Sequence, residues 1–302
     1  LDRFILSEGK QTVKTFNYRG FRFIEVHVYG NPDEIEIISV TGHQRTYYHE
    51  IAGSFICDDE RLNDIWNMSA KTVQSCSEDA LTDTPVRERG QWTGDMMASG
   101  IENIAVLFGE MSLPMRSIIQ AYEMRNPEGL VPSQYPGHID VIPMYSLMWI
   151  TGSLRYYEIT GDDATIRYIY PGFLQTVDAF MKRLSKKGVL KIKGTMDFID
   201  WGYHHIFKGL EDSDNEINIT LNIYLIGTLE ILIKYDLKFA DEKTKNVHAN
   251  YITRLKNIMN SYFYNKNSLI KKYEYTDKTY ETEGFNSNVT ALYLGLIEDK
   301  NK

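Results

Sequence analysis

Apolar and polar positions follow two different periods along this chain, and the change falls near residue 58. Residues 16–29 alternate. Phe21 and Phe23 share one parity with Arg22 opposite, whereas Ile24, Val26 and Val28 continue on the other parity, opposed by Glu25 and His27. Such a parity change predicts a strand with a bulge. Asn31-Pro32-Asp33 reads as a turn, and residues 34–48, carrying Ile35, Ile37, Ile38 and Val40, read as a second strand. Two strands alone are not stable. Residues 1–55 are therefore expected to be the C-terminal part of a β-sandwich domain.

From Asp58 the period becomes helical. Asp58 or Asp59 can cap a helix that carries Leu62, Ile65, Trp66 and Val73 at three- and four-residue spacing and ends near Cys76. A second helix is expected from about Asp95 or Met96 to Phe108, stopped by Gly109, and a third over about 112–126. A Gly- and Pro-bearing loop spans 127–142. The fourth helix, about 143–160, carries Leu147, Met148, Ile150, Leu154 and Tyr157 and closes at Gly161. The fifth, about 163–187, is expected to kink or break at Pro171-Gly172. Residues 189–203 read as short and β-like. Further helices are expected over about 215–235, 241–264 and 286–297, with a hairpin-like stretch at 268–276. The pattern is mostly helical with a β-rich beginning, and helix pairs with functional loops between them fit an α/α toroid.

One stretch obeys neither period. Asp83-Thr-Pro-Val-Arg-Glu-Arg-Gly-Gln-Trp-Thr-Gly-Asp95 places three carboxylates (Asp83, Glu88, Asp95), two guanidiniums (Arg87, Arg89) and the indole of Trp92 in 13 residues. Pro85, Gly90 and Gly94 break regular structure, so the stretch reads as a loop between two helices. A loop so charged has no apolar face to place in a core. A salt-bridged surface connector is the plain alternative, but the Trp and the two Gly among the charges favour a pocket wall. Glycoside hydrolysis needs a protonated carboxyl for the leaving oxygen, and an inverting enzyme adds a carboxylate across the sugar to activate water. Glu88 is the candidate acid, because carboxylates crowded around it raise its affinity for a proton, while Arg87 and Arg89 push the other way.

The loop resembles the acidic loop of the inverting α-L-rhamnosidases of glycoside hydrolase family 78, in which an Asp-x-Pro-x-Arg…Glu-Arg phrase is followed by Trp-Thr-Gly-Asp. Thr-Phe-Asn-Tyr-Arg-Gly-Phe-Arg-Phe-Ile-Glu-Val, from Thr15, is similar to the last strands of the sandwich preceding that family's catalytic domain. The resemblance implies an (α/α)6 toroid over 56–302, after the sandwich end at 1–55. It implies Glu88 as general acid, Asp83 and Asp95 as carboxylates that hydrogen-bond rhamnose hydroxyls, and Trp92 as a sugar-packing indole. Arg87, in the same phrase, is counted with the substrate-binding side chains. Asp200 and Trp201, in Phe-Ile-Asp-Trp-Gly, resemble a second pocket segment, with a buried Trp beside a helix-capping Asp as the alternative. The family's general base is a Glu near a Thr-Thr-x-x-Glu phrase. No such phrase occurs here, and Glu274, Glu281 and Glu283 match nothing, so the base is expected beyond Lys302. A closed ring of six hairpins also needs more helices than the roughly eight counted, so the toroid is expected to be incomplete in this chain.

Composition narrows the rest. The chain is 43% apolar and 25% charged, with a net charge of −8 and no basic run. That balance argues against nucleic acid and against an anionic membrane surface, and no apolar run is long enough to span a bilayer. The 21 Tyr, 13 Phe and 4 Trp suit a carbohydrate cleft and equally suit a core. Cys57 and Cys76 form no metal spacing. Adjacent His204 and His205 rarely share one metal, so neither metal nor cofactor is expected. His138 and Asp140 are weaker cleft candidates, and Trp149 is expected in the core. The start, Leu-Asp-Arg-Phe-Ile-Leu, lacks the basic and apolar blocks of a signal peptide, which favours the cytoplasm. The expected partner is a rhamnose-containing glycoside or polysaccharide. Three functions stay open: an inverting rhamnosidase, a non-catalytic carbohydrate-binding relative or inactive fragment, and a toroid glycosidase of other sugar specificity.

Overall fold

The computed structural model describes residues 1–137, 140–186, 188–190, 219–262, 272–275, 278–281 and 289–292. Helices dominate. In chain order they are α1 (Glu60–Cys76), α2 (Thr93–Asp95), α3 (Ile101–Phe108), α4 (Ser112–Glu123), α5 (Pro143–Thr160), α6 (Asp163–Lys182), α7 (Ile219–Leu232), α8 (Asp236–Phe239) and α9 (Glu242–Tyr262). A π-helical turn, Met96–Gly100, joins α2 to α3, and there the Ile101 N–H reaches back five residues to the Met96 carbonyl. An antiparallel ladder pairs β1 (Lys272–Tyr275) with β2 (Lys278–Glu281), extending the hairpin expected at 268–276, and residues 289–292 are helical.

Local chemistry explains the boundaries. Asp59 caps α1 by accepting the Arg61 N–H at 3.0 Å. Gly109 and Gly161 end α3 and α5 in the left-handed conformation, each at φ +67°. Pro143 opens α5 at the position where a missing N–H costs nothing. Asp162 caps α6 by accepting the Thr165 N–H at 3.0 Å, which also accounts for the Thr-Gly-Asp of 160–162 without a functional role.

Of the kink or break expected at Pro171, the break does not occur, and α6 runs through it. Pro171 is solvent-exposed, so water can satisfy the carbonyl that it leaves unpaired. An interior Pro costs ~3 kcal/mol. Burying Ile166, Ile169, Phe173, Val177 and Phe180, all within 1% of full burial, contributes about 1.5–3 kcal/mol each, and that sum wins.

The core gathers around α5, which packs against α4, α6, α7 and the π turn. Its buried residues, among them Met144, Leu147, Trp149, Ile150, Leu154 and Tyr156, lie on all sides of the helix. Trp149 is fully buried and donates its indole N–H to the Ile118 carbonyl at 3.2 Å, as its apolar neighbours led us to expect. Between α6, α8 and α9 sits a closed polar knot. Asp236, fully buried, accepts from the Tyr170 hydroxyl at 2.7 Å and lies 2.8 Å from Nδ1 of His248.

Residues 1–55 contain a single 3-10 turn, Pro32–Glu34, and no β ladder, where two strands were expected. A strand needs a neighbour for its N–H and C=O groups, and the two candidate segments do not pair with each other. Their apolar positions face solvent instead: Phe23 is 83% exposed and Ile38 66%. The end of this region is nevertheless anchored. Tyr47 N–H donates to the Ser77 carbonyl at 2.6 Å, and the Ala52 and Gly53 N–H groups donate to the Leu107 carbonyl at 2.7 and 3.0 Å.

Candidate functional site

The acidic loop begins at Asp83, past the end of α1 at Cys76, and finishes at the end of α2, Asp95. Its neck is closed by a reciprocal pair. Asp83 N–H donates to the Gly90 carbonyl at 3.0 Å, and Gly90 N–H donates to Asp83 Oδ1 at 2.8 Å. The five-residue spacing of Asp83 and Glu88 therefore becomes a tight excursion. Beyond the neck the chain is pinned to the 127–142 loop. Thr93 N–H donates to the Ser133 carbonyl at 2.9 Å, Tyr135 N–H to the Gln91 carbonyl at 3.2 Å, and Trp92 bridges Gln134. Gln91 is buried and anchors this seam by donating to the Gln120 and Tyr135 oxygens and accepting from Ser117. A Cβ on Gly90 would stand 1.5 Å from Nε2 of Gln134, so a side chain there would displace the end of that glutamine. Gly94 gives α2 the same freedom against the Tyr145 ring, 2.5 Å from where its Cβ would be.

Asp83 and Glu88 both act electrostatically on Asp95. Burial, then the Asp83 carboxylate, then the Glu88 carboxylate push the Asp95 carboxyl above the ordinary carboxylate range, with a backbone hydrogen bond opposing them. Asp95 nonetheless keeps contact with solvent. The Cys76 thiol lies beneath, 3.8 Å from the Asp83 carbonyl, and is pushed up by burial and by Asp83 and Asp95. Crowding of the three acids was the sequence expectation for Glu88; the carboxyl on which the structure displays its consequence is Asp95.

Glu88 is exposed, with Arg87 Nη2 at 3.6 Å from Oε1 and the Arg87 side chain 84% exposed. Arg89 turns the other way. It donates to Glu78 Oε1 at 2.9 Å, and its backbone sits at φ +52°. That left-handed conformation costs an L-residue roughly 1–2 kcal/mol. Trp92 is half-buried against the Gln134 seam. Asp140 is exposed, and its carbonyl accepts from Ser133 N–H at 2.7 Å. Asp200, Trp201, His138, His204, His205 and Glu283 lie outside the described residues. Sequence reasoning passed over Glu78, Cys76 and Gln134. Only the position of Cys76 and Glu78 at the end of α1, facing the loop, could have drawn attention to them. An open hollow of about 380 Å³ borders the loop, lined by Met68, Lys71, Thr72, Ser75, Cys76 and Pro85, and contains none of the three carboxylates. Among the described residues no His, Cys, Asp and Glu cluster could hold a metal, and no helix is long and apolar enough to cross a membrane.

Residues 50–302 match the family described as bacterial alpha-L-rhamnosidase 6 hairpin glycosidase domain. The chain belongs to that family. The family resemblance drawn from the acidic loop is thereby established over five-sixths of the chain, and the six-hairpin architecture with it. Among solved structures, the GH78 family rhamnosidase of Bacillus sp. GL1 superposes with a TM-score of 0.75 at 21% identity, over 84% of this chain and 26% of that one. The α-L-rhamnosidase of Dictyoglumus thermophilum gives 0.62 at 22% identity, over 83% and 27%. The Streptomyces avermitilis α-L-rhamnosidase, solved in complex with L-rhamnose, gives 0.63 at 13% identity, over 83% and 22%. The chain thus spans about a quarter of the length of these rhamnosidases. At such identities the likeness is one of fold. No curated protein matches the chain.

Proposed function

We propose that this six-hairpin chain carries the acid side of an inverting glycoside hydrolase that releases terminal α-L-rhamnose from glycosides or polysaccharides. The observation that supports this best is the single loop holding Asp83, Glu88 and Asp95 close enough to raise the proton affinity of Asp95. Glu88 is the general acid and protonates the departing glycosidic oxygen. Its exposed pairing with Arg87 is worth about 0–1 kcal/mol at most, so an arriving sugar displaces Arg87 at little cost, and Arg87 becomes available to a hydroxyl. Asp83 has Oδ1 committed to Gly90 and offers Oδ2 to the sugar. Asp95 hydrogen-bonds a rhamnose hydroxyl. Trp92 packs on the ring, and Asp200 and Trp201 complete the pocket. No residue of the chain is assigned as the base that activates water from the opposite face. In the same reading, residues 56–302 belong to the catalytic toroid.

The test is hydrolysis of alkyl and nitrophenyl α-L-rhamnosides by the full-length protein and by Glu88→Gln. Loss of a general acid costs about 10²–10⁴-fold. The loss falls hardest on the alkyl substrate, whose leaving oxygen needs the proton most. An unchanged rate for both substrates rejects the assignment of Glu88. Rhamnose binding without turnover by the unsubstituted protein favours the non-catalytic reading. A preference for other aryl glycosides moves the specificity elsewhere in the superfamily.

A further inference from the structure

A second cluster lies behind the acidic loop and takes no part in the proposed chemistry. Glu78 sits just past α1, its side chain only 17% exposed, and both of its oxygens face guanidiniums: Arg89 Nη2 at 2.9 Å from Oε1 and Arg45 Nε at 3.1 Å from Oε2. The same two guanidiniums lie against one aromatic ring, that of Tyr18, at 4.0 Å for Arg89 and 4.4 Å for Arg45. Two cations this close repel each other. The carboxylate and the ring face offset that repulsion together. Arg45 is brought to the cluster by its neighbour Tyr47, whose N–H donates to Ser77, the residue before Glu78, at 2.6 Å. Tyr47 is itself held through its hydroxyl by Ser112 at 2.6 Å and by Glu110. The same N-terminal segment touches the loop at a second point. A Cβ on Gly20 would meet Val86 Cγ2 at 2.1 Å. Val86 and Arg89 flank Glu88 in sequence, so the segment grips the loop on both sides of it.

Arg89 is the one non-glycine residue with positive φ among the described residues. Glycine stands next to it, yet the left-handed turn falls on the arginine. An arginine stays there only if its side chain gains more from its contacts than its backbone loses. The left-handed turn at Arg89 stands between Glu88 and Gly90, whose N–H pairs with Asp83 Oδ1 at 2.8 Å. We propose that Tyr18, Arg45 and Glu78 are positioning residues, which hold Arg89 in its left-handed turn and thereby fix where Glu88 stands in the acidic loop. This rests on the reading of Glu88 as the acid only for its effect on rate; the placement itself can be measured without turnover.

The placement is read from the Asp95 carboxyl, which Glu88 helps to push up. The 302-residue chain, labelled at the aspartate carboxyls, is titrated by NMR as unsubstituted protein, Glu88→Gln, Glu78→Gln, Tyr18→Leu, and Glu78→Gln with Arg89→Gly. Glu88→Gln lowers the Asp95 pKa by removing a like charge. Glu78→Gln and Tyr18→Leu are expected to lower it in the same direction, because Glu88 swings away. Arg89→Gly is expected to restore it in the Glu78→Gln background, because glycine holds the turn unaided. In rhamnoside hydrolysis the same variants are expected to lose kcat about tenfold with KM within about twofold, and to recover with Arg89→Gly. An Asp95 pKa lowered by Glu88→Gln but unmoved by Glu78→Gln and by Tyr18→Leu overturns the proposal. Tyr18 is partly exposed, so Tyr18→Leu decides the matter if Glu78→Gln fails to fold. Absence of rhamnosidase activity in every form, with the titration behaving as expected, rejects the proposed reaction and leaves the clamp standing.

Discussion

Asp83→Ala tests the neck of the acidic loop directly. The substitution removes Oδ1, which accepts the Gly90 N–H at 2.8 Å, and leaves the return bond from Asp83 N–H to the Gly90 carbonyl in place. A hydrogen bond to a charged group contributes about 1.5–3 kcal/mol. Asp83 is only half-buried, so the lower half of that range applies. At about 1.4 kcal/mol per factor of ten, the loop should open about ten- to fortyfold more often, with the helices unaffected. Amide exchange at Gly90, followed by NMR, reads this bond itself. Its protection is expected to fall by that factor in Asp83→Ala and by less in Asp83→Asn, where an oxygen acceptor remains. Exchange in the centre of α5 is expected to stay unchanged. Unaltered exchange at Gly90, or equal loss of protection in α5, would refute the reasoning.

Two further outcomes concern the acids Asp95 and Asp236. Asp95→Asn is expected to raise the thermal midpoint at pH 7. A carboxyl whose pKa is raised on folding contributes stability at low pH that is lost as pH rises through its folded-state value, so removing its charge helps at neutral pH and does nothing near pH 3; scanning calorimetry at the two pH values checks the sign. Asp236→Ala leaves the Tyr170 hydroxyl and the His248 ring without their buried partner and is expected to cost about 3–5 kcal/mol in urea denaturation. Tyr170→Phe should cost clearly less in that background than alone, and equal costs would show the knot to be no knot.

Much of the helical part was legible because its signals are local. Asp59, Pro143, Gly109 and Gly161 each mark a boundary by their own chemistry, and all four boundaries fall within two residues of expectation. Pro171 does not break its helix, because the burial of Ile166, Ile169, Phe173, Val177 and Phe180 against other elements outweighs its cost. The alternation in 16–48 has the period of strands, but a period describes one segment and a ladder needs two that pair; the described structure contains no partner for it. At the site, the types and spacing of Asp83, Glu88 and Asp95 could be read directly. That the raised carboxyl is Asp95 could not, since burial depends on α2 lying against Tyr145. Nor could the meeting of Arg45, Glu78 and Tyr18, which is set by chain segments far apart in sequence.

The π turn at Met96–Gly100 has an effect on both ends of its helix. Five residues per hydrogen-bonded loop in place of four insert one extra position, which swings everything upstream by about 100° relative to α3. Ile101, Ile104 and Phe108 can then obey the interior while Thr93, Gly94 and Asp95 obey the loop. Loss of a single residue here would leave both ends intact and aim the Asp95 carboxyl a quarter-turn off target. The orientation of that acid is thus carried by backbone phasing, in a place where no side chain advertises it.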